Sequence, residues 1–338
     1  MSSNDIKSPF TGGKVEEVYE LSKMEFRGEE YLVHTRYYKC CDTRETFSDS
    51  EQDDATLNDL YSQYRIKHGI PFPDEIKAIR NRFGLNYSQI GKMLGFGINQ
   101  WAKYESGQVP SESNGRLIAA LRSKAVAITL LDNIKELYEE PEYTKVYNQI
   151  LQSKEDDAAA KSDSVFYEGT TRSIDNGFGE FNHRKVEEMV KFLSENGICP
   201  TKMNKKMFYS DFLHFKRYGI SISGLRYQAI HYGPVPVHYN TIYDHIPGLQ
   251  CLPEFVGNNE VTVLRALEQA DLTVFTDKEI ETLKEINGKL SPLSTREIIN
   301  LSHQESAWLD HYPDKGIIPY SDAYRLRYHL FAILPSFP

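Results

Sequence analysis

The sequence contains little cysteine and no long apolar run. Its four cysteines among 338 residues are Cys40, Cys41, Cys199 and Cys251. One adjacent pair and two isolated residues exclude a disulfide framework and are typical of the reducing cytoplasm. No apolar run reaches the ~18 residues of a membrane span, and residues 1–13 lack the apolar core of a signal peptide. We therefore predict a cytoplasmic protein without membrane contact.

Positive charge is scarce in the chain as a whole but not in every part of it. The 39 Lys and Arg residues face 48 Asp and Glu residues, and the net charge of −9 by itself argues against nucleic-acid binding. Segment 65–124 nevertheless carries ten cations and four anions, a charge of +6, which leaves −15 to the remainder. A basic segment in an acidic chain indicates either a local DNA contact or a solvated helical surface.

Turn residues and linker composition divide the chain into four predicted segments. Residues 14–40 alternate as strands do, with a turn signal at Arg27-Gly28, and from residue 74 the apolar spacing becomes helical. The predicted fold class is α+β, predominantly α. The segments are a small antiparallel β-ribbon domain (1–68), a helix-turn-helix domain (69–139), a helical or flexible linker (140–180) and a mostly helical domain with a short β element (181–338).

Segment 74–125 has the spacing of a helix-turn-helix. The Gly95-Phe96-Gly97 turn directs the next predicted helix, Ile98 to Glu105, outward from the preceding one. Asn and Gln side chains can bond an adenine edge at two points, Lys can donate to guanine or phosphate, and N–H groups at a helix start can bind phosphate. A plain helical core with polar outer residues has the same periodicity. The predicted DNA-contacting residues are Tyr87, Ser88, Gln89, Asn99, Gln100 and Lys103.

These residues also carry a family resemblance. The pattern Leu85-x-x-x-Gln89-x-x-x-x-Leu94-Gly95, followed by Gly97-Ile98-Asn99-x-x-x-Lys103-Tyr104-Glu105-x-Gly107, resembles the helix-turn-helix of MqsA-type antitoxins within the wider Xre-like group. That family places an asparagine and an arginine, four residues apart, against the bases. Asn99 matches the first, and Lys103 occupies the second. Because lysine lacks the two-pronged guanidinium contact, the base preference at that position is expected to differ.

The same resemblance extends to the N-terminal ribbon, where the family carries a zinc domain with two Cys-x-x-Cys motifs. Ser8, Thr11, Cys40 and Thr43 occupy the four ligand positions here. A structural zinc site needs four nitrogen or sulfur ligands, and one thiolate among hydroxyls does not supply them. We predict a metal-free relic, with no metal and no cofactor, to which the family's toxin-binding role does not carry over.

The C-terminal segment carries a second resemblance. It is similar to the Panacea or SocA-like domain, which belongs to antitoxins paired with many unrelated toxins, and this resemblance implies a cognate toxin as partner. The similarity covers nearly all of the C-terminal segment. The residues that carry it are Val186-x-x-Met189, Lys202 to Phe215, Gly219-x-Ser221-Ile222-x-Gly224-Leu225-x-Tyr227, Tyr232-Gly233-Pro234-Val235-Pro236 and Leu301-Ser302-His303-Gln304-Glu305-x-x-Trp308.

The stiff turn Gly233–Pro236 has two interpretations. Lacking two N–H donors, it either ends a strand or offers a preordered ledge to a partner at small entropic cost. Tyrosines lie nearby in sequence, and tyrosine is favoured at interfaces. The predicted partner-binding residues are Tyr227, Tyr232, Pro234, Val235, Pro236 and Tyr239.

Motifs of catalysis are missing from the sequence. Its histidines match no metal-ligand spacing, and no nucleophile elbow or phosphate-binding glycine loop is present. We therefore predict that the protein is not an enzyme.

The predicted function is that of an antitoxin, which neutralises its toxin through the C-terminal domain and represses its own operon. The alternatives are a stand-alone repressor of phage or mobile-element type and a protease-delivery adaptor. A homodimer is expected because such proteins read paired half-sites, with an apolar helix from Leu117 to Leu137 as its contact.

Overall fold

A computed structural model gives the architecture of the chain. Helices predominate beside small antiparallel sheets, which confirms the α+β, predominantly α, prediction. The chain forms two compact units, one of residues 1–59 with 163–338 and one of residues 60–162. No helix among the described residues is long and apolar enough to cross a membrane. The described residues are 6–97, 99–153, 171–256 and 259–327.

The first unit begins with a long β-hairpin. Strands β1 (Val15–Phe26) and β2 (Glu29–Cys40) pair antiparallel over their whole length, and β3 (Thr46–Phe47) adds a short third strand. Arg27 and Gly28 join the strands with φ angles of 52° and 81°. Two consecutive positive φ angles match the right-handed twist of a tight hairpin. The predicted ribbon and its turn are therefore confirmed. Helix α1 (Ser50–His68) follows, and the division between the units falls within it.

The second unit is entirely helical in its described part. Its core includes Ile76, Ile90, Trp101 and Ile118, all without solvent exposure. Helix α3 ends in Gly95, whose φ of 67° permits the sharp turn toward α4. The helices are α2 (Pro73–Arg82), α3 (Tyr87–Leu94), α4 (Gln100–Glu105), α5 (Glu112–Ala120), α6 (Lys124–Asp132), a 3₁₀ turn (Lys135–Leu137) and α7 (Glu140–Gln152).

The predicted helix from Leu117 to Leu137 does not exist as one element. Helix α5 ends at Ala120, and Ser123 caps the start of α6 by accepting a hydrogen bond from the backbone N–H of Val126. Ser123 thus favours a new helix start over a continuing turn. Ile118, Ala127 and Leu131 face the core of their own unit, and Leu130 packs against it partly buried, whereas Leu137 is 67% exposed. The single helix is therefore wrong, and the dimer contact stays a prediction.

The C-terminal part of the first unit is built around a single buried helix, α9 (Pro200–Tyr218). Its residues from Met203 to Lys216 are all buried. The surrounding elements are α8 (His183–Ser194), β4 (Tyr227–Ile230), β5 (Gly233–Pro236), α10 (Tyr239–Asp244), β6 (Leu249–Val256), β7 (Asn259–Ala266), α11 (Asp277–Leu290), α12 (Thr295–Ser302), α13 (Ser306–Leu309), β8 (Ile317–Ile318) and 3₁₀ turns at Ile174–Asn176, Leu272–Val274 and Tyr320–Arg325.

Two small sheets flank this helix. Strand β4 lies between β5 and β8, with Tyr227 opposite both Pro236 and Ile318. Strands β4 and β5 fall inside the predicted β element, Ile220 to Tyr239, whereas β8 lies outside it. The second hairpin, β6–β7, was not predicted. Pro253 within β6 weakens the sequence signal for a strand there. The alternating β-branched residues around Val263 could have predicted strand β7.

Within the first unit, the ribbon packs against the C-terminal elements. The Tyr324 ring stacks on His34 at 4.3 Å, and the Lys216 ammonium lies 4.4 Å from the centre of the Tyr19 ring. The amide of Asn58 donates to the carbonyl of Tyr218 at 3.0 Å. A C-terminal fragment that lacks the ribbon would expose these aromatic contacts, so functional tests require the full chain.

Candidate functional site

The start of helix α3 is fixed by a reciprocal cap. The Asn86 side chain accepts from the backbone N–H of Gln89 at 2.9 Å, and the Gln89 side chain accepts from the backbone N–H of Asn86 at 2.9 Å. This capping box holds the first turn in place. The box also uses the backbone N–H of Gln89. Contrary to the prediction, this N–H is therefore not free to donate a hydrogen bond to a DNA phosphate. The backbone groups of Tyr87 and Ser88 stay candidates.

Helix α4 is locked to α2 and α3 by one carboxylate. Glu105 accepts from Trp101 Nε1 and Arg80 Nε, both at 2.6 Å, and from the Tyr87 hydroxyl at 3.1 Å. Burial raises the pKa of Glu105, but the hydrogen bonds from Arg80 and Trp101 outweigh it and lower that pKa. The ionised carboxylate thus fixes the orientation of the helix that carries Lys103.

The predicted DNA-contacting residues lie on the first turn of α3 and along α4. Tyr87, Ser88, Asn99 and Lys103 are exposed, whereas Gln89 and Gln100 are half-buried. Gln100 also donates to the Gln108 side chain at 3.2 Å. Ile98, predicted to face inward, lies outside the described residues. The hydrogen bond from Tyr87 to Glu105 ties the two groups of residues together.

The basic character of this segment is smaller at the surface than in the sequence. Several cations serve ion pairs within the unit, so they stabilise the fold. Lys77 and Lys103 are exposed and form no ion pair with any residue that the structure describes. The paired cations include Arg80 with Glu105, Arg116 with Glu112, Arg122 with Glu75 and Lys92 with Glu142.

The four positions of the expected zinc site converge around a single thiol. Cys40 is buried, Thr11 Oγ1 lies 3.5 Å from its sulfur, and Ser8 and Thr43 also hydrogen-bond to it. These bonds, that of Ser8 most strongly, lower the pKa of Cys40 to about 6. No cluster of three or more His, Cys, Asp or Glu residues that could hold a metal occurs in the part of the chain described. That the wild-type site is metal-free stays a prediction.

Restoring the thiols should create a zinc site. We expect the S8C/T11C/T43C variant to bind one metal ion per chain, because four convergent thiolates form the tetrahedral set that zinc prefers. Titration with Co²⁺, whose tetrahedral thiolate complexes are coloured, measures this directly, and Zn²⁺ should displace the colour. The S8C/T11C variant, with three thiols, is the matched control and should bind more weakly. A colourless triple variant would show that the four positions lack ligand geometry.

In the C-terminal part, one buried carboxylate organises the loop after α9. Asp211 accepts from the backbone N–H groups of Ile222 and Ser223 at 2.9 and 3.0 Å, from the Ser223 hydroxyl at 2.5 Å and from the Tyr227 hydroxyl at 2.7 Å. Burial raises the pKa of Asp211, although these hydrogen bonds oppose the shift. Much of the Gly219–Tyr227 motif therefore serves the fold.

Two glycines of the resemblance are required by close packing. A Cβ at Gly224, where φ is 71°, would lie 2.4 Å from the backbone carbonyl of Glu180. A Cβ at Gly233, where φ is 96°, would lie 2.5 Å from Ser302 Oγ and 2.7 Å from Lys205 Cε. Neither position has room for a side chain, and both have a backbone conformation that favours glycine.

The six predicted partner-binding residues do not form one surface. Strand β5 buries Pro234, Val235 and Pro236, and Tyr227 is fully buried beside Asp211. Tyr239 is half-buried, and Tyr232 is 59% exposed. The stiff Gly233–Pro236 run thus packs as a strand and offers no ledge, because its side chains face the interior. Tyr232 alone of the six presents a large exposed area.

Tyr232 belongs to an aromatic cluster, partly exposed and built on the buried Trp308, that the sequence did not reveal. The aromatic patch consists of His231, Tyr232, Trp308, Leu309 and Tyr312. His231 Nδ1 lies 3.0 Å from the Tyr312 hydroxyl, and the Tyr312 ring stacks on Trp308 at 4.4 Å. Trp308 is itself fixed by donating from Nε1 to the Ile230 carbonyl at 2.9 Å. In the sequence, only the prediction for Tyr232 and the position of Trp308 at the end of the Leu301 to Trp308 motif pointed to this cluster.

The ammonium of Lys205 is buried beside strand β5. It donates to the Pro234 carbonyl at 3.1 Å, and burial lowers the pKa of Lys205 to about 7. The unfolded chain, with an ordinary lysine pKa near 10.4, therefore binds more protons than the folded chain between pH 7 and 9. Stability must rise with pH in this window, by at most about 1.4 kcal/mol per pH unit for this group.

The Lys205→Met variant should lose this pH dependence. The free energy of unfolding, from urea titrations at pH 7, 8 and 9, should rise with pH less steeply in the variant than in the wild type. Subtracting the two curves cancels the other buried lysines, Lys206 and Lys216, whose pKa values burial lowers to about 8. Parallel curves would mean that Lys205 titrates as an ordinary lysine.

Comparison with known proteins gives one match. Residues 203–309 match the family described as Antitoxin SocA-like, Panacea domain. This range includes the aromatic patch up to Leu309, the Asp211 network and strands β4 to β7. The predicted Panacea-like domain is therefore supported over these residues. No curated protein and no solved structure matches the chain.

Proposed function

We propose that the chain is the antitoxin of a toxin–antitoxin pair and binds its toxin through the aromatic patch. The match of residues 203–309 to the antitoxin Panacea domain carries this proposal. The patch supports it because fixed aromatic side chains with exposed faces are the usual anchors of protein interfaces. Its exposed members are Tyr232 at 59%, whose ring contacts that of His231 at 4.8 Å, and Leu309 at 48%, which follows Trp308 in the chain.

The proposed role is neutralisation by binding, without catalysis. Around the patch, the hydrogen bonds of His231 and Trp308 hold the rings in place before a partner arrives. Such preorganisation lowers the entropic cost of binding. The toxin is expected to present a complementary apolar surface, because the patch contains no carboxylate or ammonium group.

A double substitution in the patch tests this binding. We expect Tyr232→Ala combined with Leu309→Ala to weaken toxin binding by at least 30-fold, or about 2 kcal/mol, because both side chains lose contact area at a hot spot. Titration calorimetry with the purified product of the adjacent gene gives the measurement. Leu267, 59% exposed but outside the patch, supplies the matched control, Leu267→Ala. Equal weakening by the control, or none by the double variant, would place the toxin elsewhere.

We further propose that helices α3 and α4 bind operator DNA, so that the antitoxin represses its own operon as a homodimer. The orientation of α4, which Glu105 fixes to Arg80 and Tyr87, and the exposed side chains of Asn99 and Lys103 support this role. A repressor that reads two half-sites is expected to be two-fold symmetric. If the adjacent gene product is harmless and unbound while operator binding persists, a stand-alone repressor is the better description.

A further inference from the structure

A second candidate site is a cavity of about 820 Å³ in the C-terminal part of the first unit. It lies among the end of α8, the first two turns of α9, strand β7 and the end of α11. Ligand cavities commonly measure about 300–1,000 Å³. None of its lining residues belongs to the aromatic patch, so the cavity is independent of the proposed toxin surface.

The cavity wall on α9 carries two cations, of which Lys206 is buried and Lys202 is half-buried. Lys206 is 3% exposed, and its Nζ donates to Asn287 Oδ1 at 2.6 Å and to Ser291 Oγ at 2.8 Å. The Nζ of Lys202 donates to the carbonyls of Ser291 and Leu293 at 2.7 and 2.6 Å. Neither ammonium has a carboxylate within ion-pair distance among the described residues. One helical turn apart, the two like charges repel each other.

Further features of the lining favour an anion. The first turn of α9 lines the cavity, and its N-cap residue Cys199 forms no side-chain capping hydrogen bond, so the positive end of the helix dipole is left unneutralised there. Arg265 also lines the cavity but is paired with Glu254 at 2.9 Å. Glu195 is the other acidic lining residue. The apolar lining residues are Phe192, Leu193, Ile198, Val261 and Val263.

We propose that this cavity binds a small organic anion, whose phosphate or carboxylate group lies beside Lys202 and Lys206 and whose apolar body contacts Val261 and Val263. Glu297 acts electrostatically on Lys202 from beyond ion-pair distance, and the anion would supply the counter-charge that Lys206 lacks among the described residues. Burial, and then the charge of Lys202, lowers the pKa of Lys206 to about 8. A bound anion reverses that effect, so binding should be accompanied by proton uptake.

Protection of Cys199 from alkylation tests the site in a chain whose cavity lining is unchanged, because neither Cys41 nor Cys251 lines the cavity. In a full-length C41S/C251S chain, Cys199 is the accessible thiol, because Cys40 is buried. The probes are hexyl phosphate and hexanoate, with hexanol as the neutral control and sodium chloride matching the ionic strength. We expect at least tenfold slower reaction of Cys199 with iodoacetamide under a saturating anion. Protection by one anion alone identifies the head group; protection by neither, or equally by hexanol, overturns the proposal.

Two lysine variants locate the anion. Lys206→Met should abolish protection, whereas Lys205→Met, on the same helix but facing the Pro234 carbonyl, should retain it. Equal protection in both variants would overturn the assignment. Calorimetry at pH 8 in buffers of different ionisation enthalpy should show uptake of about half a proton in the wild type and none in Lys206→Met. The charged groups that line the cavity with Lys206 are Lys202 on α9, Glu195 just after α8, and Glu254 and Arg265 on the β6–β7 hairpin.

Discussion

Replacing Asp211 with alanine should destabilise the first unit by about 3–5 kcal/mol. The substitution leaves two backbone N–H groups, of Ile222 and Ser223, and two hydroxyl groups without their acceptor in a fully buried site. Each unsatisfied buried donor costs about 1–3 kcal/mol, and partial relaxation reduces the sum.

The two tryptophans make this loss measurable in the full chain. Trp308 lies in the first unit and Trp101 in the second, so urea unfolding of a Trp101→Phe background followed by Trp308 fluorescence reports the first unit alone. Asp211→Asn is the matched control. It retains one acceptor oxygen and should lose less than Asp211→Ala. A loss below 1 kcal/mol for Asp211→Ala would mean that water or a loop rearrangement satisfies these donors.

The second large effect concerns DNA. Asn99→Ala combined with Lys103→Ala should weaken binding to the region upstream of the gene by roughly 30- to 1,000-fold, since a two-point base contact contributes about 1–3 kcal/mol and the lysine adds to it. Both side chains are exposed on or beside α4, which Glu105 fixes to α2 through Arg80 and to α3 through Tyr87. The measurement is fluorescence anisotropy at fixed salt.

Lys77→Ala provides the control for charge. Lys77 is also exposed and lacks an ion pair among the described residues, but it lies on α2, so its replacement changes the net charge without touching α4. We expect a weakening of severalfold at most and a similar effect on unrelated DNA. Equal losses of DNA affinity in Lys77→Ala and in the double variant would mean that the chain binds DNA only through nonspecific electrostatic attraction.

Local patterns predicted local structure well. The Arg27-Gly28 turn, the α3 to α4 turn at Gly95 and the strands around Tyr227 all follow from short-range turn and periodicity signals. Those signals fail where a short polar cap interrupts an apolar run. Ser123 divides the expected helix from Leu117 to Leu137 because its cap outweighs the apolar periodicity on either side.

Contacts between residues far apart in the chain could not be predicted from these local patterns. The sequence indicated a rigid Gly233–Pro236 turn but not that β5 would bury it against α9, so most predicted partner-binding residues lie inside. The aromatic patch joins positions about 80 residues apart, such as His231 and Tyr312. The hydrogen bonds accepted by Glu105 and Asp211 likewise join residues of separate elements. Hydrophobic periodicity states which face of a helix is buried, not which elements meet.

Growth under co-expression tests the central claim most directly. The adjacent reading frame should arrest growth when expressed alone, and the full chain should restore it. Rescue should persist in the Asn99→Ala/Lys103→Ala variant, because neutralisation does not require α4, and should fail in the Tyr232→Ala/Leu309→Ala variant at equal protein levels. A harmless neighbour, or a toxic one that the full chain does not rescue, would contradict the antitoxin assignment.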